Sequence, residues 1–186
     1  MNKPELNVYI GSMYAGKSSE IIKIFKTLNT SDVTSLVITH SLENRYDENY
    51  LSTHDNIKIP CEKLSKLKDI YSLKSFVNSS VILIDEAQFF EDILEAVNIV
   101  EIHQKIVYVF GLDGDFKRNK FGNILDLIPY CDNVHKLKSI CYKCKSKGIF
   151  SLRISDSINQ VLVGSNNDYQ PVCRECYLFI NNKKNM

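Results

Sequence analysis

At 186 residues, with 23 basic and 22 acidic side chains and a net charge of +1, the chain has room for one medium domain, alone or with a small accessory module. Its charge balance asks for no nucleic acid or anionic membrane as partner. No apolar run reaches the length of a bilayer span, and the N-terminal MNKPEL lacks the apolar core of a signal peptide, so the expectation is a soluble, cytoplasmic protein with no membrane partner. Six cysteines without a secretory leader read as reduced thiols, four of them in two C-x-x-C pairs.

The first predicted element is a short buried strand over residues 8–10, which runs into GSMYAGKS at 11–18. Gly11, Gly16, Lys17 and Ser18 satisfy G-x-x-x-x-G-K-[ST], with Ser12, Met13, Tyr14 and Ala15 as the loop between. In that pattern backbone N–H groups wrap a polyphosphate, the lysine meets the outer phosphates and the serine hydroxyl holds Mg²⁺. The loop feeds the start of a helix, whose unpaired N–H groups and dipole favour an anion. A lysine-bearing turn is the plain alternative. Against it stand the apolar run before the loop and Ile21, Ile22, Ile24, Phe25 and Leu28 at helical spacing after it.

Residues 36–39, LVIT, read as a parallel strand that completes a strand, helix, strand unit. Residues 41–59 are polar and too long for an ordinary connection. Within them Thr53, His54 and Asp55 either approach the nucleotide or sit in a solvated loop. A short amphipathic helix is expected over 64–73. In VILIDEAQFF, 81–90, four apolar residues deliver Asp85 and Glu86 to the C-terminal end of a strand, where open α/β sheets bind ligands. Asp85 is placed to order the Mg²⁺ shell and Glu86 to take a proton from an attacking hydroxyl or water. Taken alone, the pair has a common alternative in an acidic loop or helix start, and the phosphate loop earlier in the chain strengthens the metal-and-base reading.

A helix over 92–103, ending at a solvated or capping His103, and a buried strand over 105–112 come next. In GLDGDFKRNKFGN, 111–123, Phe116 and Phe121 either stack on a ring-shaped substrate or pack beneath the loop. The last third changes texture. Cys141 with Cys144, and Cys173 with Cys176, have the spacing of a tetrahedral zinc site, and the 28 residues between the pairs imply an inserted hairpin of two strands around a flexible tip. A redox dithiol or unrelated buried cysteines are the alternatives. Cys61 and Cys131 have no such partners and read as core or free thiols, and the tail NNKKNM, 181–186, reads as disordered.

The phosphate loop, D-E-x-Q-F-F, L-D-G-x-F with a following F-G, and the two C-x-x-C pairs resemble the cytosolic-type (type II) thymidine kinase family over residues 9–177. The resemblance implies an α/β fold, a P-loop NTPase-like, mostly parallel sheet over 1–137, with a small zinc-binding lasso domain over 138–180. It implies transfer of the ATP γ-phosphate to the 5′-hydroxyl of thymidine, structural zinc, Mg²⁺ with ATP, a homotetramer and feedback inhibition by dTTP. Residues 11–18 would then bind ATP with Asp55, Asp85, Glu86, Ala87 and Gln88. Ser18 and Asp85 would hold Mg²⁺, and Glu86 would be the catalytic base. Met13, Phe89, Leu112 and Phe116 would line the nucleoside pocket with Ser151, Gln160, Val161, Leu162, Val163, Gly164 and Tyr169 from the lasso. Cys141, Cys144, Cys173 and Cys176 would bind zinc.

The chain departs from the family pattern at Ser165 and Asn166, and at Asn56 and Ile57 after T-H-D, where an arginine is frequent. The cation that assists transfer therefore stays unassigned, with Arg118 a candidate. The competing class is a P-loop ATPase whose zinc module binds nucleic acid. Near-neutral charge and only four arginines fit it less well. A zinc-dependent structural protein with a degenerate ATP site is disfavoured by the intact loop.

Overall fold

The computed structural model describes residues 3–42, 49–52, 57–155 and 168–184, with side chains through residue 181. Asp55 and its neighbours in T-H-D, and the segment Gln160, Val161, Leu162, Val163 and Gly164, lie outside the described residues.

The chain runs β1 (Glu5–Gly11), α1 (Lys17–Thr30), β2 (Ser35–His40), β3 (Tyr50–Ser52), β4 (Lys58–Pro60), β5 (Glu62–Leu64), α2 (Lys74–Asn78), β6 (Val81–Ile84), α3 (Glu95–Glu101), β7 (Ile106–Gly111), β8 (Asn133–Leu137), β9 (Ser139–Ile140), β10 (Lys147–Gly148), β11 (Phe150–Arg153), β12 (Tyr169–Val172) and α4 (Arg174–Lys184). Six strands form one sheet in the order β5-β2-β6-β7-β1-β8, and every pairing in it is parallel. Short apolar runs such as VILI at β6, buried at all four positions, are what a sheet covered on both faces requires.

Strand alternation sorts the core. Leu6, Val8, Ile10, Ile82, Ile84, Val107 and Val109 face α2 and α3, while Val37, Leu83 and Phe110 face α1 and the β3–β4 hairpin, which adds Leu51 and Ile59. The crossover from β1 through α1 to β2 passes over β7 and β6, so the turn after β1 opens onto the C-terminal edge of the sheet.

Local chemistry moved three expected boundaries. The helix expected over 64–73 is a strand ending at Leu64 and a 3-10 helix over Leu67–Ser72, whose first N–H groups, of Leu67 and Lys68, donate to the Asp92 carboxylate at 2.9 and 3.0 Å. That use of Asp92 as a cap for another element delays the helix expected from 92, and α3 starts at Glu95. At the other end, α4 continues through Lys184, so the stretch expected to be disordered from 181 is helical as far as that residue. Tyr177 and Ile180 anchor α4 to the small lasso core, and Asn181 Nδ2 donates to the Tyr177 carbonyl at 3.2 Å. Cys61 is a core thiol pushed up to about 11 by burial, and His103 stacks on Tyr71 at 5.0 Å. Among the described residues, no helix is long and apolar enough to cross a membrane.

Candidate active site and metal centre

β1 ends at Gly11, and residues 12–16 turn the chain into α1. Gly16 takes a left-handed φ of 84°; nothing crowds the place where a Cβ would stand, so the backbone angle, and not a clash, is what calls for glycine. Among the described residues no side chain caps α1, which leaves its first N–H groups to an anion. Lys17 Nζ donates to the carbonyls of Ser12 at 2.9 Å and Gly11 at 3.3 Å, holding its charge at the mouth of the loop. Ser18 follows in the first turn of α1, while Tyr14 and Ala15 are half-buried in the turn. The loop is tied to the C-terminal third: the Met13 N–H donates to Ser151 Oγ at 2.9 Å, and the Ser12 and Ser139 hydroxyls meet at 3.2 Å.

Asp85, 2% exposed, leaves the end of β6 with its N–H on the Ile38 carbonyl at 2.8 Å. Alternation puts its side chain on the α1 face, as for Leu83. The next step of the β2–β6 register sets it beside Thr39, 1% exposed, whose hydroxyl has no hydrogen-bond partner among the described residues. A buried carboxylate beside an unsatisfied buried hydroxyl, at the sheet edge where α1 begins, suits a hydrated divalent cation.

Glu86 sits at φ 52°, left-handed although it carries a side chain, and such conformations cluster at functional sites. Ala87 and Gln88 are buried in the short 3-10 turn that follows. Gln88 accepts the Leu112 N–H on Oε1 at 2.9 Å, which turns its NH₂ to the Glu86 carboxylate, where it donates. One amide thus fixes Glu86 against the end of β7. Gly122 presses on the same turn: at φ 60°, an added Cβ would lie 1.9 Å from the Gln88 carbonyl oxygen. Gly122→Ala is expected to cost about 1–3 kcal/mol and to displace Gln88, lowering both melting temperature and activity; unchanged thermal unfolding and rate would contradict this.

Around this point stand Phe89, half-buried, and Phe121, which meets it edge-on at 5.7 Å. Phe121 therefore packs beneath the loop. Phe116 instead faces the lasso, with the Arg153 guanidinium 3.9 Å from its ring centroid, and the Tyr169 ring lies 4.9 Å from the same guanidinium. Leu112 is half-buried and Ser151 and Tyr169 are buried. His40 packs on Phe89 at 5.8 Å and on Phe90 at 4.7 Å. Its Nδ1 accepts from the Leu42 N–H, so the ring proton is on Nε2, donating to the Ser65 carbonyl at 3.2 Å. Burial lowers its pKa and keeps that ring neutral.

The four cysteine sulfurs of the lasso lie within 4.8 Å of one another, with Cys144 and Cys173 3.6 Å apart. Four thiolates on tetrahedral zinc at ~2.3 Å would stand roughly 3.8 Å from each other, so the donor set fits. Their protonation points the same way. Burial pushes Cys141 up, but the N–H groups of Cys144, Cys173 and Lys143 and the Cys144 thiol outweigh it and bring Cys141 down to about 6. Burial and its three neighbours drive Cys176 up to about 12. The four thiols share their protons, and a cation bound among them favours the thiolate form of all four.

The loop residues 11–18, Asp85 to Phe89, Leu112, Phe116, Ser151 and Tyr169 thus gather at one end of the sheet. Arg118 lies over the rings of Tyr177 at 4.6 Å and Phe150 at 5.6 Å. Sequence reasoning passed over Thr39, His40 and Arg153. For Arg153 a signal existed, since period-two alternation puts it on the same face as Ser151.

The thymidine kinase family model matches residues 4–177. The chain is 41% identical to a thymidine kinase of Yaba monkey tumor virus over 177 residues, 95% of this chain and 96% of that protein. Against a thymidine kinase of vaccinia virus (strain Western Reserve) it is 39% identical over 178 residues, 96% of this chain and 99% of that one. A thymidine kinase of Oryza sativa subsp. japonica is 38% identical over 179 residues, 94% of this chain and 66% of the plant protein. With the loop, the acidic turn and the four-cysteine lasso in that order along its length, the chain belongs to the thymidine kinase family.

Proposed function

We propose that this protein transfers the γ-phosphate of ATP to the 5′-hydroxyl of thymidine, giving dTMP for DNA synthesis. The observation that carries the reading is the Met13 to Ser151 hydrogen bond, which ties the lasso to the phosphate loop. Residues 1–137 act as the ATP-binding domain and 138–180 as the lasso. Residues 11–18 bind ATP with Asp55, Asp85, Glu86, Ala87 and Gln88. Met13, Phe89, Leu112, Phe116, Ser151 and Tyr169 enclose the nucleoside together with 160–164.

Lys17, now on loop carbonyls, turns to the outer phosphates. Glu86, held by Gln88, accepts the proton of the attacking hydroxyl. Ser18 and Asp85 would hold Mg²⁺, which would supply charge neutralisation to the nucleotide's phosphates. The lasso closes over the base and excludes water, which limits ATP hydrolysis. Regulation by dTTP, a homotetramer, cytoplasmic location and the absence of a nucleic-acid partner belong to the same reading.

Lys17→Ala is expected to weaken ATP binding with little change in thymidine binding, measured by calorimetry for each ligand; unchanged ATP affinity would remove Lys17 from the phosphate site. The test of the function is ATP consumption measured separately with thymidine, deoxycytidine, deoxyguanosine and single-stranded DNA. Turnover with thymidine is expected. Turnover with single-stranded DNA alone would overturn the assignment.

A further inference from the structure

Arg153 is 4% exposed, an unusual fate for a guanidinium. It sits on β11 directly opposite Tyr169 on β12, and the two side chains meet: Nη2 donates to the Tyr169 hydroxyl. The same guanidinium lies on the face of Phe116, 3.9 Å from the ring centroid, so it joins a loop of the ATP-binding sheet to both strands of the lasso hairpin. Ser151, on the same face of β11, accepts the Met13 N–H. The face that carries Arg153 is therefore the one turned to the phosphate loop.

A guanidinium has only donors. Tyr169 must accept from it, and the Tyr169 hydroxyl hydrogen is then directed at some other acceptor. Resting on the nucleoside-kinase reading above, we propose that Arg153 is a positioning residue of the nucleoside pocket. It fixes the ring of Phe116 and makes Tyr169 a hydrogen-bond donor, so that the nucleoside group meeting Tyr169 is an acceptor oxygen, of the sugar or of a base carbonyl. Lysine cannot substitute fully, because it lacks the planar fork that stacks on one ring while donating to the other.

The test is steady-state kinetics and calorimetry on the zinc-loaded protein and its Arg153→Lys, Arg153→Met, Tyr169→Phe and Arg153→Met/Tyr169→Phe variants. Zinc content and ATP affinity serve as folding controls. Arg153→Met and Tyr169→Phe should each raise KM for thymidine roughly 5- to 20-fold with KM for ATP unchanged. Arg153→Lys should recover only part of the loss. The double variant should lose less than the product of the single effects, since Arg153 acts partly through the Tyr169 hydroxyl.

Three analogues locate the acceptor. If the Tyr169→Phe penalty vanishes with 3′-deoxythymidine the partner is the sugar oxygen, and if it vanishes with 2- or 4-thiothymidine the partner is a carbonyl. Fully multiplicative penalties, or an Arg153→Met enzyme with wild-type KM for thymidine, would overturn the proposal. If Arg153→Met loses zinc, Arg153→Lys and Tyr169→Phe decide: a lysine variant with wild-type KM overturns it. Wild-type protein without thymidine-dependent turnover would instead sink the functional reading, so the two failures are distinct.

Discussion

Glu86→Gln is expected to lower kcat for thymidine phosphorylation by about 10²- to 10⁴-fold while leaving ATP affinity close to wild type. Glutamine keeps the size of glutamate, and its Oε1 still accepts from the Gln88 amide, so the turn after β6 stays in place. The backbone angle of 52° is no harder for glutamine than for glutamate. What is lost is a carboxylate able to take the 5′-hydroxyl proton. Single-turnover rates with saturating thymidine, together with calorimetric ATP binding, separate the two quantities. A variant that turns thymidine over at near wild-type kcat would remove Glu86 from the base role.

The second large effect is expected at the metal. One zinc per chain, held by the four thiolates, would leave no open coordination position, so the ion is expected to be structural and not to activate water. Among the described residues the lasso's buried apolar cluster is Cys141, Leu152, Val172, Cys176 and Tyr177, and two of these belong to the four-cysteine group. A structural zinc contributes on the order of 10 kcal/mol, more than so small a cluster can replace. Chelation or Cys173→Ser should therefore unfold residues 138–180 and abolish thymidine binding, while the parallel sheet, with its own core, keeps most of its structure. Metal analysis, far-UV circular dichroism and thymidine binding on the same sample check this. Fully reduced, active protein without zinc would contradict it.

Much of this was legible in the sequence because it is written in short-range signals. A parallel strand buried on both faces is a plain apolar run, as at 81–84, and the phosphate loop and cysteine pairs are fixed spacings. What stayed hidden depends on distant partners. β8, NVHKL, is almost wholly exposed at the sheet edge and has no strand-like run of apolar residues, yet it pairs with β1. Asp92 caps an element 25 residues earlier, so the helix it was expected to begin starts later. Arg153 is charged, and the rings of Phe116 and Tyr169 and the Tyr169 hydroxyl that it meets in the buried lasso hairpin are brought in by two other segments.

The place of β1 between β7 and β8 also bears on how the chain matures. Glu5 is paired with Ile106 and Asn7 with Asn133, so the strand that launches the phosphate loop has no sheet neighbour until segments far along the chain have been synthesised. Contacts so far apart in sequence close slowly, and an unpaired apolar strand is prone to pairing with other chains in the meantime. Nucleotide-binding competence should arise late in refolding, after β2 and β6 have paired, and β1 is the strand left longest without a partner.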